Sequence, residues 1–123
     1  MTEDVMQHAI AVHYVSLWNE PDAQARRSAI EHLFAPDAVH HTPSMSVKGY
    51  DELERRIADA HAKWVRAAGY GFFLTDVTRG HHGGFLLDWH MATSEGSEPV
   101  SSGTDFMMLN EHCRVVLDYQ FVR

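Results

Sequence analysis

The chain has 123 residues, a formal net charge of -7 and a hydrophobic fraction of 45%. This length suits one domain, residues 1–123, with a buried core, and the apolar content argues against a disordered chain. Because phosphate binding needs a basic surface and the sequence has no cluster of lysine and arginine, we expect no nucleic-acid partner.

Apolar residues at helical spacing predict three helices in the N-terminal half of the chain. Thr2, Asp22 and Asp51 are suitable N-terminal capping residues for these helices. The predicted bounds, including the caps, are 2–19, 22–34 and 51–68, with an extended run at 38–42 between the second and third helices. The adjacent Arg55 and Arg56 of the third helix are interpreted as part of a solvated face.

From Gly71 onward the apolar residues alternate with a period of two, which predicts strands. The predicted strands are 72–78, 85–92, 100–109 and 114–122. This order predicts an α+β domain in which three N-terminal helices pack on a curved, mostly antiparallel sheet.

Two carboxylates are predicted to share one face of the last two strands. If residues 110–113 form the turn, Asp105 lies directly opposite Asp118, and paired residues point to the same face. Like charges so placed make one acid hold its proton more tightly than a free carboxylate does. Two alternatives stay open: the hairpin is displaced by one residue, or Asp118 lies on an exposed edge.

The aromatic residues indicate a core that surrounds a pocket. Tyr14 lies on the apolar stripe of the first helix, as either a core residue or a hydrogen-bond donor in a site. Trp18, Trp64 and Trp89 are predicted to pack in the core. Trp64 and Trp89 would also line a pocket for a flat or polycyclic apolar ligand.

Ten histidines raise the question of a metal site. The adjacent pairs at 40–41 and 81–82 are poor chelators, because neighbours on a strand point to opposite faces. The sequence has no HExxH or CxxC motif, and no GxGxxG, P-loop or GxSxG motif. We therefore expect neither a metal nor a cofactor.

The compartment is predicted from targeting signals and from Cys113, the one cysteine. The N-terminal segment lacks a basic stretch followed by an apolar one, and no apolar run approaches the roughly 18 residues of a membrane span. A single cysteine permits no internal disulfide, which is typical of a reducing environment. We expect a cytoplasmic protein that is not embedded in a membrane.

Four segments in order, HYVSLWNEPD, FAPDAVHHTP, KGYDEL and GTDF, give the chain a resemblance to a known family. Together they resemble the SnoaL-like branch of the nuclear-transport-factor-2-like superfamily. The resemblance implies a cone-shaped α+β fold around one deep apolar pocket, often in a dimer formed through the outer sheet face. Members include ketosteroid isomerases, polyketide cyclases, epoxide hydrolases and dehydratases, as well as non-catalytic binding domains, so the fold alone does not give the function.

Comparison with the ketosteroid isomerases assigns candidate roles. Tyr14 and Asp105 match the tyrosine and aspartate that donate hydrogen bonds to a developing oxyanion. The catalytic base is missing, because the residue before Pro43 is Thr42. His40, two residues earlier on the same face, has an unperturbed pKa near 6.5, which suits a general base.

These observations lead to a hypothesis with two alternatives. The leading one is a cofactor-independent isomerase, cyclase or dehydratase that acts on an apolar, ring-containing carbonyl compound. The alternatives are a non-catalytic ligand-binding or dimerisation domain, and a structural subunit. We expect a homodimer through the outer sheet face, which would include Thr104, Phe106 and Met108. The predicted catalytic residues are Asp105, Tyr14, His40 and Asp118, and the predicted pocket residues are Trp18, Thr42, Trp64, Leu87, Trp89, Met107 and Gln120.

Overall fold

The structure is a computed structural model that describes residues 2–123. In these residues three helices pack on one curved, unclosed, mostly antiparallel six-stranded sheet, which confirms the predicted α+β class. The elements are α1 (Glu3–Asn19), α2 (Ala23–Leu33), β1 (Phe34–His41), β2 (Ser46–Lys48), α3 (Gly49–Ala60), a π-helical segment (His61–Ala67), β3 (Gly71–Thr78), β4 (Gly84–Ala92), β5 (Ser101–Leu109) and β6 (Val115–Val122). The strand order is β2-β1-β6-β5-β4-β3. Within residues 2–123, no helix has both the length and the apolarity needed to cross a membrane.

Two of the three predicted helix caps are confirmed. The Thr2 side chain accepts a hydrogen bond from the Val5 N–H, and the Asp22 side chain accepts one from the Ala25 N–H. The third prediction is wrong, because Asp51 lies inside the first turn of α3 and the helix begins at Gly49. The helix also changes to π geometry after Ala60, a change that the apolar spacing does not indicate.

Strand β1 was predicted too short and strand β2 was missed. The predicted extended run began only at residue 38, after Pro36, but β1 begins at Phe34 and continues through the proline. The pairing of β1 with β6 shifts between Phe34 and Val39, so the strand accommodates the proline in an irregular stretch. β1 pairs with β6 in parallel, and this pairing places His40 beside Asp118.

The predicted pairing of Asp105 with Asp118 is wrong, although both side chains lie on the inner face of the sheet. Asp105 is opposite Gln120, and Asp118 is opposite Met107. The pairing shifts between Met108 and Leu109, so the hairpin has an irregularity that simple alternation does not include. Its register differs from the predicted one by two residues, and an even displacement leaves each side chain on the same face.

Helix α1 is fastened to the sheet by Asn19 at its C-terminal end. The Asn19 side chain donates to the Phe72 carbonyl at 2.7 Å and accepts from the Phe72 N–H at 2.8 Å. These two hydrogen bonds join the end of α1 to β3. They fix the helix that carries Tyr14 and Trp18 against the inner face of the sheet.

Gly103 leaves room for the indole ring of Trp89. The two residues are paired across β4 and β5. A Cβ added at Gly103 would lie 2.5 Å from Cζ2 of Trp89 and 2.6 Å from the Phe121 carbonyl oxygen. Both distances are far below van der Waals contact, so the Trp89 ring can occupy its position only while residue 103 has no side chain.

We predict that Gly103→Ala destabilises the protein by about 1–3 kcal/mol, because one added methyl group overpacks the site. The loss would be measured by urea unfolding, and the displaced indole would change the tryptophan fluorescence of the folded protein. Ser102→Ala, on the opposite face of the same strand, serves as the control. Unchanged stability in the Gly103 variant would contradict this account of the packing.

Candidate active site

A cavity of about 760 Å³ opens between the helices and the inner face of the sheet. Its wall includes six aromatic residues, and it is formed by the bent sheet, α1, α3, the π-helical segment and adjoining loops such as residues 42–45. The aromatic wall residues are Tyr14, Trp18, Trp64, Tyr70, Phe72 and Trp89. Such a surface suits a flat, ring-containing molecule through stacking and burial of apolar area.

The structure places five of the seven predicted pocket residues on this wall, namely Trp18, Thr42, Trp64, Trp89 and Gln120. Leu87 and Met107 do not line it. Both have no exposed surface and belong to the hydrophobic core. They lie on the predicted face of the sheet, but they pack inside the hydrophobic core, so a ligand in the cavity cannot contact them.

Four predicted catalytic residues form one buried cluster that reaches the cavity wall through Tyr14. β1 supplies His40, β5 supplies Asp105, β6 supplies Asp118 and α1 supplies Tyr14. His40 and Asp118 are neighbours in the parallel pairing of β1 and β6. Asp105 and Asp118 are diagonal neighbours across the β5–β6 pair, so the sheet register brings the acids together.

The hydroxyl of Tyr14 connects the two acids. It lies 2.5 Å from Oδ2 of Asp118 and 3.0 Å from Oδ2 of Asp105. The hydroxyl can donate its one proton in only one of these two hydrogen bonds. In the other, the acid must be protonated and must donate to the Tyr14 oxygen. Oδ2 of Asp118 is also 2.8 Å from Nδ1 of His40, and the Trp89 indole N–H donates to Oδ1 of Asp105 at 2.9 Å.

Asp105 is the acid that holds the proton more strongly. Burial raises its pKa well above the usual value, and the neighbouring charge of Asp118 raises it further. Burial also raises the pKa of Asp118, but the hydrogen bonds from its neighbours and the positive charge of Arg56 oppose this. The arrangement therefore favours a protonated Asp105 beside an ionised Asp118 that accepts hydrogen bonds from Tyr14 and His40.

His40 is neutral at physiological pH in this environment. Burial lowers its pKa to about 4, and the positive charge of Arg56 acts in the same direction. A neutral ring that donates from Nδ1 to Asp118 keeps a lone pair on Nε2. That atom is buried and has no hydrogen-bond partner among residues 2–123. Burial and the two acids raise the pKa of Tyr14, so its hydroxyl stays protonated.

Tyr14 and Trp89 are the members of this cluster that reach the cavity wall. Asp105 and Asp118 have no exposed surface, and His40 is only 1% exposed. Trp18 lies on the wall, and its ring centroid is 5.8 Å from that of His40. The acids are therefore connected to the cavity through Tyr14 and Trp89.

The same cluster could also present ligands to a metal ion. His40, Asp105 and Asp118 each offer one ligand atom, and these atoms lie within 4.8 Å of one another. The sequence directed attention to adjacent histidine pairs instead, because spacing along the chain does not indicate a set assembled from three strands. Hydrogen bonds from Tyr14 and Trp89 already occupy several of the carboxylate oxygens, so a cation would have to displace them.

Charged residues on the cavity wall were missed by the sequence interpretation. Arg56, Asp59 and Lys63 line the cavity from α3 and the π-helical segment. Arg55 is exposed, as expected for a solvated face, but Arg56 is half-buried and faces the cavity. Arg56 lies three residues after the buried Leu53 and four before the buried Ala60, and this helical spacing is the signal that could have identified it.

Comparisons with known proteins give solved structures with the same fold. No protein-family model matches the chain, and no curated protein matches it in sequence. A candidate isomerase of the SnoaL-like family from Agrobacterium tumefaciens is 27% identical, with a TM-score of 0.86 over 97% of this chain and 98% of that one. A candidate polyketide cyclase from Sinorhizobium meliloti is 19% identical, with a TM-score of 0.67 over 92% and 94% of the two chains. A SnoaL-like protein of unknown function from Burkholderia thailandensis is 14% identical, with a TM-score of 0.74 over 100% and 98%.

Helices packed on a bent, open sheet around an aromatic cavity define an α+β protein of the cone-shaped, nuclear-transport-factor-2-like class. The chain is similar to solved structures of the SnoaL-like branch of that superfamily, which confirms the resemblance found in the sequence.

We predict that Asp105→Asn stabilises the protein at neutral pH. Because the folded-state pKa of Asp105 is raised, its favourable contribution is complete below the unfolded pKa near 3.9 and is lost as pH rises through the folded value. Each unit of elevation corresponds to about 1.4 kcal/mol, so we expect the variant to be more stable than wild type by about 1 kcal/mol or more at pH 7.5. Urea unfolding between pH 4 and 8 measures the difference, which should shrink toward pH 4.

The matched control for this measurement is Asp88→Asn. Asp88 lies on the same sheet but on the outer face, where it accepts a hydrogen bond from Thr104. The Asp88 variant makes the same Asp-to-Asn replacement at a less buried position, so we expect no comparable gain. A pH-independent difference between wild type and the Asp105 variant would contradict the assignment of the proton.

Proposed function

We propose that the protein is a cofactor-independent enzyme that moves protons on an apolar, ring-containing carbonyl compound, as an isomerase, cyclase or dehydratase. The observation that carries this proposal is the contact of the Tyr14 hydroxyl with two buried acids at the floor of an aromatic cavity. Buried, mutually perturbed titratable groups beside a cavity are characteristic of active sites. The solved relatives described as candidate isomerase and candidate polyketide cyclase support the same class of reaction.

Tyr14 is proposed to donate a hydrogen bond to the substrate carbonyl oxygen. As a proton leaves the adjacent carbon, negative charge develops on that oxygen, and a preorganised donor stabilises it. Protonated Asp105 is proposed to donate a hydrogen bond to the Tyr14 oxygen while the Tyr14 hydroxyl donates its own hydrogen to the substrate. Asp118 keeps Asp105 protonated through its own charge.

His40 is proposed to be the general base. Asp118 accepts from Nδ1 and thereby fixes the tautomer that has a free lone pair on Nε2. In an isomerisation, Nε2 takes the proton from one carbon and returns it to another, so no net proton is consumed. Because His40 does not line the cavity, the wall at Trp18 has to move for Nε2 to reach the substrate.

A second candidate function is ligand binding without catalysis. It is favoured by the burial of both acids and of His40, none of which contacts the cavity directly. In that case the cluster fixes Tyr14 and Trp89 in the wall, and the cavity selects a ligand by shape and apolar area.

We predict that the wild-type protein catalyses hydrogen–deuterium exchange at carbon 2 of 1-tetralone in D₂O. This ketone has a flat ring system and a proton beside its carbonyl group, so it tests proton transfer without knowledge of the natural substrate. Tyr14→Phe should slow the exchange by about 10²-fold or more, and His40→Gln should abolish the acceleration, because they lack the donor and the base. Proton NMR measures the rates.

Tyr70→Phe is the matched control, because Tyr70 lines the same cavity and makes no side-chain hydrogen bond to the acids. It should exchange 1-tetralone at close to the wild-type rate. Tight binding of 1-tetralone by wild type with no acceleration of exchange would reject the enzyme and leave the ligand-binding function.

We also propose that the protein forms a homodimer through the outer face of its sheet. Tyr119 and Phe121 stack there with ring centroids 5.3 Å apart, and both are largely exposed. Leu86 and Phe106 extend this apolar surface across the neighbouring strands. A continuous apolar patch on a sheet face is a typical interface between copies of one chain.

Phe121→Glu should convert this dimer to a monomer, because it places a charge in the centre of an apolar contact. Size-exclusion chromatography with light scattering measures the mass. Val12→Glu is the control, since Val12 is an exposed apolar residue on α1, away from the sheet. A monomeric wild-type protein would contradict the proposed interface.

Two predictions from the sequence enter the proposal unchanged. Residues 1–123 are proposed to form one domain, and the protein is proposed to act in the cytoplasm. The second is supported by Cys113, which is free and exposed. A free, exposed thiol is more typical of a reducing compartment than of an oxidising one.

A further inference from the structure

Arg56 is a cationic side chain on the cavity wall without a carboxylate partner among residues 2–123. Its guanidinium carbon lies 5.1 Å from the centroid of the Trp18 ring. Its Nε atom is buried and makes no hydrogen bond within the described residues. A guanidinium group has five N–H donors arranged to match a carboxylate, so this one has unused capacity for an anion.

A second unused donor lies beside Arg56. The indole N–H of Trp18 is buried and has no hydrogen-bond partner among residues 2–123, although Trp18 is on the cavity wall. A buried donor without a partner loses the hydrogen bond that it makes to water in the unfolded chain, which is unfavourable. A bound acceptor group in this part of the cavity would restore a hydrogen bond to this donor.

The charge of the cavity wall differs from that of the whole protein. The chain has a formal charge of -7, yet the charged residues on the cavity wall are two cations, Arg56 and Lys63, and one acid, Asp59. Lys63 lies with Nζ 4.5 Å from the centroid of the Trp64 ring, also at the cavity. An acidic protein with a cationic cavity wall attracts an anionic ligand to that wall.

We propose that Arg56, with the Trp18 indole N–H and Lys63, binds an acidic group of the substrate, and that the substrate is therefore an aromatic or polycyclic carbonyl compound that carries a carboxylate. The Trp18 ring lies near both parts of the site, 5.1 Å from the Arg56 guanidinium and 6.0 Å from the Tyr14 ring. The carboxylate and the reacting carbonyl are therefore both proposed to lie beside the Trp18 ring. This inference rests on the proposed function for the position of the reacting carbonyl, but not for the anion site.

A different role for Arg56 is to balance the charge of the buried Asp118. Its positive charge does lower the pKa of Asp118. However, the two side chains form no ion pair. The guanidinium packs on the Trp18 ring, and both residues line the cavity. A purely internal role would affect stability and leave the preference among ligands unchanged, so the two roles are separable by ligand binding.

The test compares the binding of naphthalene-2-carboxylate and naphthalene-2-carboxamide, which have the same rings and differ in charge. Isothermal titration calorimetry at pH 7.5 measures both ligands with wild type, Arg56→Gln and Arg55→Gln. We expect wild type to bind the carboxylate at least about tenfold more tightly than the amide. Arg56→Gln should lose that preference and bind the amide within about twofold of wild type.

Arg55→Gln is the matched control, because it removes the same charge from the adjacent, exposed position of α3. It should keep the wild-type preference for the carboxylate. If wild type shows no preference, or if Arg56→Gln and Arg55→Gln behave alike, the anion site is rejected. Circular dichroism and thermal unfolding of each variant confirm that the comparison is made between folded proteins.

A fourth protein, Tyr14→Phe, separates this inference from the proposed function. Should the carboxylate preference survive Arg56→Gln and disappear in Tyr14→Phe, the anion binds at the acid cluster and the Arg56 site is rejected while the proposed donor role of Tyr14 stands. Should the preference depend on Arg56 alone while wild type fails to exchange 1-tetralone, the anion site stands and the enzyme is rejected.

Discussion

The central constraint on this structure is the burial of Asp105 beside Asp118, because this contact is unfavourable and the surrounding residues must compensate for it. Two carboxylates without exposed surface cannot both be ionised at low cost, so a proton is retained between them. The hydroxyl of Tyr14 and the indole N–H of Trp89 make this tolerable by contacting three of the four carboxylate oxygens. Two features position those donors, namely Asn19 at the end of α1 and the absence of a side chain at Gly103. Both therefore support the site, although neither residue lines the cavity.

The same contact shows what alternation in a sequence can predict. A period of two assigns each residue to a face, which was sufficient to place Asp105 and Asp118 on the inner side of the sheet. It does not predict irregularities, and the shift near Met108 changed the partner of Asp105 to Gln120. The beginnings of α1 and α2 were predicted well because the Thr2 and Asp22 side chains cap their helices locally. The prediction for Asp51 was wrong because α3 begins at Gly49, directly after β2.

Other features depend on contacts that local patterns do not contain. The parallel pairing of β1 with β6 joins distant parts of the chain, and it turns His40 from one histidine among ten into a neighbour of Asp118. Likewise Arg55 and Arg56 are equivalent in composition, and only packing against Trp18 distinguishes the cavity residue from the solvated one. The comparison with ketosteroid isomerases drew attention to Tyr14 and Asp105, which are in contact, but it did not predict that Asp105 is fully buried, because the depth of a residue behind a cavity wall is a tertiary property.

The central position of β6 has a consequence for how the molecule assembles. This strand follows all the others in the sequence, yet it lies between β1 and β5 and joins the two parts of the sheet. The hydrogen bonds from His40 and Tyr14 to Asp118 span 78 and 104 residues. During synthesis on the ribosome, β1 and β5 therefore each have an unpaired edge until β6 emerges. In this interval the nascent polypeptide is most exposed to aggregation.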